Sequence, residues 1–87
     1  MKPLFKLFTR HGCHLCEDME QALATLAQEL NFGIELVDID SDAALAERYG
    51  SRVPLLQLAD DVICEYFLDQ KTLIQALNKF SADSSND

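Results

Sequence analysis

Two thiols stand three positions apart in Cys13-His14-Leu15-Cys16. Thiols so spaced can close into a disulfide, pass electrons as a dithiol, or share a soft metal ion. Exchange begins when a thiolate attacks a disulfide sulfur in line, so one thiol has to be accessible and readily ionised. Cys13 suits that part: an apolar run ends just before it and a helix-like segment begins just after it, where unpaired backbone N–H groups stabilise an anion. Cys16, one turn further on, is expected to be more buried and to resolve the mixed disulfide formed on Cys13. Arg10, His11 and His14 favour the thiolate, whereas Glu17 and Asp18 oppose it. The expected balance is a Cys13 that ionises below the roughly 8.5 of a free cysteine. Two thiolates are half of a tetrahedral metal site, and no second C-x-x-C completes it, so no metal ligand set is assigned.

The elements around the pair must place it. Leu4, Phe5, Leu7 and Phe8 pattern as a central strand over residues 3–9. Leu15, Met19, Leu23, Leu26 and Leu30 recur at helical spacing, and Asn31-Phe32-Gly33 supplies the stop. Ile34 to Asp40 reads as a second strand, parallel to the first through a right-handed crossover. Asp40 or Ser41 is expected to cap a short helix that ends at Tyr49-Gly50. Two runs, Val53 to Leu58 and Val62 to Phe67, form a hairpin, with Pro54 confined to a strand start. Asp69 then caps a last helix with Leu73, Ile74, Leu77 and Phe80 on one face. The order is β-α-β-α-β-β-α in a domain spanning residues 1–80, followed by a flexible polar tail at 81–87.

Composition narrows the partners. With 87 residues there is room for one core and no separate substrate domain. A net charge of −8, with only seven Lys and Arg, argues against nucleic acid. No stretch is long and apolar enough for a membrane span, and Lys6 and Arg10 interrupt the N-terminal run that would otherwise resemble a secretory signal. Three cysteines make no closed disulfide framework, so a cytoplasmic chain, acting as a monomer, is expected. Cys64 reads as a strand cysteine, and Tyr49 and Tyr66 as aromatic residues packed at element ends with their hydroxyls in water. Asp38, Asp40 and Asp42 lack the glycine and distal glutamate of a calcium loop and read as caps and solvated charge.

The element order, the C-x-x-C at the first strand-to-helix junction and Val53-Pro54 about forty residues on together resemble the glutaredoxin branch of the thioredoxin fold, over roughly residues 3 to 80. Arg10 stands where that family often carries a basic residue. The resemblance implies an α/β thioredoxin fold with a four-stranded mixed sheet flanked by helices, and a cis Val53-Pro54 bond facing the dithiol. It implies a small thiol-disulfide oxidoreductase acting through Cys13 and Cys16, with Arg10, His14, Arg52, Val53 and Pro54 contacting substrate. A disulfide-containing protein or glutathione would be the partner, with no resident cofactor and glutathione as co-substrate. The chain departs from the family in His14-Leu15 between the cysteines, in Arg52 before Val-Pro, and in Cys64-Glu65 near the usual Gly-Gly-acidic glutathione motif. Two other functions compete with exchange: a metal or iron-sulfur carrier using the cysteine pair, and an interaction module with a vestigial dithiol.

Overall fold

The computed structural model of the chain describes residues 2–85. Its elements are β1 (Leu4–Thr9), α1 (His14–Leu30), β2 (Gly33–Asp38), a 3₁₀ turn (Ile39–Ser41), α2 (Ala43–Tyr49), β3 (Leu55–Leu58), β4 (Asp61–Glu65) and α3 (Gln70–Ser85). One sheet has the order β2-β1-β3-β4, with β1 parallel to β2 and the β1–β3 and β3–β4 pairs antiparallel. The expected element order and the central place of β1 are both present.

Alternation along β1 builds a core on each face of the sheet. Phe5 and Leu7 turn toward Met19, Leu23 and Leu26 of α1 and Leu73 of α3. Phe8 turns the other way, onto Ile39, Tyr49 and Leu55. Aromatic rings knit each side: Phe5 meets Phe32 edge-on at 4.8 Å, and Phe8 stacks on Tyr49 at 4.3 Å. No helix among the described residues is long and apolar enough to cross a membrane.

Several expectations need correction. Leu15 and Leu30 remain 36% and 40% exposed, although both belong to the apolar stripe of α1. A 17-residue helix, about 25 Å long, overhangs the six-residue strand it packs on, about 20 Å long, so its ends project past the core. Ile74 is also exposed, because Leu73 beside it takes the core-facing position and neighbouring helical residues point about 100° apart. β2 stops at Asp38 rather than Asp40, since the Asp38 carboxylate accepts the Asp40 N–H and its carbonyl accepts the Ser41 hydroxyl, folding the chain into the 3₁₀ turn. The cap of α2 is therefore Asp42, which accepts the Ala44 N–H at 2.8 Å, and not Asp40 or Ser41. β4 ends at Glu65, because Tyr66 takes a left-handed backbone (φ 67°). α3 runs past Phe80 to Ser85, through a stretch without Gly or Pro to stop it, so the boundary drawn at residue 80 falls inside a helix. Residues 86 and 87 of the expected tail lie outside the described residues.

Asp69 caps α3 by accepting the Thr72 N–H and the Thr72 hydroxyl, which lowers its pKa. A carboxylate whose pKa is depressed by folding stabilises above its unfolded value and loses that contribution as pH falls through the folded one. The urea midpoint is accordingly expected to fall below about pH 4 more steeply in the parent than in Asp69→Asn. Equal acid limbs would show that the cap carries no pH-dependent stability.

Candidate active site

Cys13 is the N-cap of α1. Gly12 precedes it with φ 76°, a left-handed turn that swings the chain from β1 into the helix without a side chain to strain it. The Cys13 Sγ accepts the backbone N–H of Cys16 at 3.1 Å, and the Cys13 carbonyl accepts that of Glu17. A sulfur so held takes the place of the oxygen in an ordinary cap, next to the positive end of the helix dipole. Cys13 and Cys16 are joined in a disulfide across a Cα separation of 5.2 Å. Their exposures differ in the expected direction: Cys13 is half-buried, while Cys16 is 3% exposed and turned toward the core.

β1 and β3 bring the second half of the site alongside. Phe8 pairs with Leu55, so the loop leaving β1 and the Val53-Pro54 bond entering β3 lie at the same end of the sheet. That bond is cis, and Pro54 is fully buried. The N–H and C=O of Val53 have no backbone hydrogen bond among the described residues. The next carbonyl, that of Pro54, accepts the Tyr66 N–H at 2.7 Å, and the Tyr66 hydroxyl donates to the Ser51 carbonyl. Tyr66 thus spans the segment before β3 from both sides, and its hydroxyl is bonded rather than left to water. Tyr49, the other tyrosine, is 7% exposed beneath Phe8.

The two arginines are both engaged. Arg10 donates through Nε and Nη2 to the Asp40 carboxylate, at 3.2 and 3.1 Å, and through Nη1 to the Gly50 carbonyl. It ties the 3₁₀ turn and the end of α2 to the loop before Cys13, a role the sequence reading did not assign. Arg52 donates through Nε to Glu65 at 3.0 Å, which raises its pKa and keeps it cationic, and its guanidinium lies 5.9 Å from the Tyr49 ring centre. Arg52 and Glu65 are both departures from the family pattern, and here they compensate each other's charge. His14 is 96% exposed and stands nearest Glu17, at 3.8 Å. The roles of Asp40 and Tyr66 had no signal in the chain: ion pairs thirty residues apart carry no local spacing, and a left-handed position is usually marked by glycine.

Cys64 lies on β4, packed against the core that contains Leu56 and Leu73. Burial pushes its thiol pKa up, against a smaller opposing effect from the Asp69 backbone N–H. After reduction, iodoacetamide at neutral pH is therefore expected to label Cys13 ahead of Cys64, as read by peptide mass spectrometry. Labelling of Cys64 ahead of Cys13 would reverse the assignment of the reactive thiol. No group of three or more His, Cys, Asp or Glu side chains among the described residues is placed to hold an ion.

Comparison with known proteins agrees with this geometry. The model of a family described as "Glutaredoxin-like domain (DUF836)" matches residues 5–78. An uncharacterized protein of Mycobacterium tuberculosis is 34% identical over 62 residues, which cover 66% of this chain and 64% of that protein. The matched segment thus spans less than two thirds of that relative's length. The solution NMR structure of protein Ne2328 from Nitrosomonas europaea is 33% identical, with a TM-score of 0.78 over 87% of this chain and 92% of that one. Fasciola hepatica thioredoxin superposes with a TM-score of 0.66 over 90% of this chain and 80% of its own, at 16% identity, and speaks for the fold alone. The architecture is the α/β thioredoxin fold.

Proposed function

The chain belongs to the glutaredoxin-like domain family, and from that premise we propose that it is a small thiol-disulfide oxidoreductase working through Cys13 and Cys16. The observation that carries the reading is the asymmetry of the pair: a half-buried Cys13 whose sulfur accepts a backbone N–H at a helix start, beside a Cys16 that is 3% exposed. The same N–H that the disulfide sulfur accepts would favour a Cys13 thiolate after reduction.

The cycle balances without a resident cofactor. Cys13 as thiolate attacks one sulfur of a substrate disulfide, forming a mixed disulfide and releasing the other substrate sulfur as a thiolate that takes up a proton. Cys16 gives up its proton and attacks the Cys13 sulfur, expelling the second substrate thiol and closing the Cys13–Cys16 disulfide. Two electrons have passed to the substrate. Two equivalents of an external thiol, with glutathione as one candidate, return the protein to the dithiol and leave joined as their own disulfide. The open N–H and C=O of Val53 would hold an extended backbone beside Cys13 during the attack, in the manner of a strand added to a sheet edge. Arg10, Arg52 and His14 are assigned less direct parts, since both arginines are already paired. A monomer in a reducing, cytoplasmic setting, with no nucleic acid partner, belongs to the same proposal and rests on the cysteine count and the −8 charge.

Titrating the dithiol against glutathione, with metal content and the visible spectrum of the protein as isolated, tests this reading. A two-electron potential of about −270 to −200 mV without bound metal is expected. Stoichiometric zinc or a cluster absorption band would favour a carrier, and a pair that does not equilibrate with glutathione would favour an interaction module.

A further inference from the structure

A groove of about 240 Å³ opens directly beside the dithiol turn. Leu15, the residue between His14 and Cys16, forms one lip of it, with Met19 and Ala22 of α1 behind; Tyr66, Phe67 and Leu68 form the opposite wall. Three of these side chains are large, apolar and exposed: Leu15 at 36%, Tyr66 at 41% and Phe67 at 70%. Isolated apolar surface residues are ordinary, but three converging next to a reactive pair form a patch. Its far wall is held by Tyr66, bonded through its N–H to Pro54 and through its hydroxyl to Ser51, while the Phe67 N–H is turned back onto the Glu65 carbonyl. The groove and the open Val53 edge therefore share one support. Asp18 is the charged residue lining the groove, and the chain as a whole carries a charge of −8. The two arginines of the site are neutralised by Asp40 and Glu65.

We infer that this groove selects the substrate: it takes an apolar side chain next to the disulfide-bonded cysteine of an extended peptide that carries a basic residue for Asp18, in preference to glutathione. Glutathione brings two carboxylates against one ammonium, a net negative charge, and no apolar side chain, so it leaves the apolar walls of the groove unfilled and meets a negative surface. A peptide of the stated kind buries its apolar residue against Leu15 and Phe67, pairs its cation with Asp18 and lays its backbone along Val53. The inference rests on the exchange reading above for its chemistry and on the groove alone for its binding.

The test mixes fully reduced protein with mixed disulfides of thionitrobenzoate, following release of the coloured thiolate at subsaturating concentration. One peptide has leucine beside its cysteine and lysine beyond, its twin has glutamate at both positions, and the third compound is glutathione. The leucine-lysine peptide is expected to react at least about tenfold faster than either of the others. Phe67→Ser is expected to narrow the gap between the two peptide rates to what the lysine–Asp18 pairing alone gives, and Asp18→Lys to shift the preference toward the acidic twin, each rate being normalised to that variant's own rate with hydroxyethyl disulfide. Glutathione reacting as fast as the leucine-lysine peptide, or a gap between the twin peptides that Phe67→Ser leaves unchanged, overturns the inference. Binding is read separately by NMR, using the same peptides with serine in place of cysteine. Shifts confined to Leu15, Ala22 and Phe67 with the leucine-lysine peptide uphold the groove even if no exchange is seen, which would be a failure of the exchange reading instead. Absence of those shifts overturns the groove whatever the exchange rates.

Discussion

Cys13→Ser is expected to abolish disulfide exchange, lowering the rate by on the order of 10³ or more, to the uncatalysed background. The substitution exchanges one cap for another: serine is a preferred N-cap, and its oxygen can accept the Cys16 N–H as the sulfur does. Against the reduced parent, which like the variant has no Cys13–Cys16 disulfide, folding is therefore expected to be unchanged, and the loss falls on chemistry alone, because an alcohol at that position is not ionised at neutral pH. Cys16→Ser separates the two thiols. It leaves the first attack intact and removes the group that releases the product, so the protein should accumulate as a mixed disulfide with one substrate thiol, visible by mass spectrometry. Turnover that survives Cys13→Ser would refute the nucleophile assignment, and a mixed disulfide trapped on Cys16 would invert the two roles.

Phe5→Ala is expected to destabilise the fold by about 3–5 kcal/mol, a large share of the roughly 5–15 kcal/mol available to a domain of this class. Phe5 is fully buried on the central strand, meets Phe32 edge-on, and stands in register with Ile34 on one side and Leu58 on the other. Removing its ring leaves a cavity between β1 and α1 that neighbours on three elements cannot close together. For a chain of this length each kcal/mol lowers the midpoint of melting by about 4–8 °C, so a fall of roughly 12 °C or more should be seen by circular dichroism. Phe67→Ala makes the contrast: the same side chain, 70% exposed, is expected to change stability by less than about 0.5 kcal/mol. Equal losses from the two substitutions would contradict the burial on which the core description rests.

Which parts of this molecule the chain announced, and which it did not, follows from how far each signal reaches. Periodicity is local, so the element order, the Asn31 stop in a left-handed conformation, the Gly50 end of α2 and the Asp69 cap were legible from neighbours a few residues apart. The C-x-x-C at a strand-to-helix junction was equally local, and with Val53-Pro54 it pointed to the family. Local periodicity overreached at particular positions: Leu15 and Leu30 fit a stripe yet sit at the projecting ends of α1, and Ile74 leaves the core-facing position to Leu73.

The pairing of Arg10 with Asp40 and of Arg52 with Glu65, the left-handed Tyr66 and its bond to Ser51 were decided by tertiary structure alone. Each joins residues thirteen to thirty positions apart or depends on a backbone angle that tyrosine does not advertise. The sequence by itself determined that Cys13 and Cys16 form a dithiol pair at the start of a helix, because three residues of spacing and one helix junction suffice for that. Only the folded sheet decided what stands around the pair. By setting Phe8 against Leu55 it brought the Val53 edge, two neutralised arginines and the Leu15–Phe67 groove to one end of the molecule, where long-range packing rather than local propensity fixes what can dock.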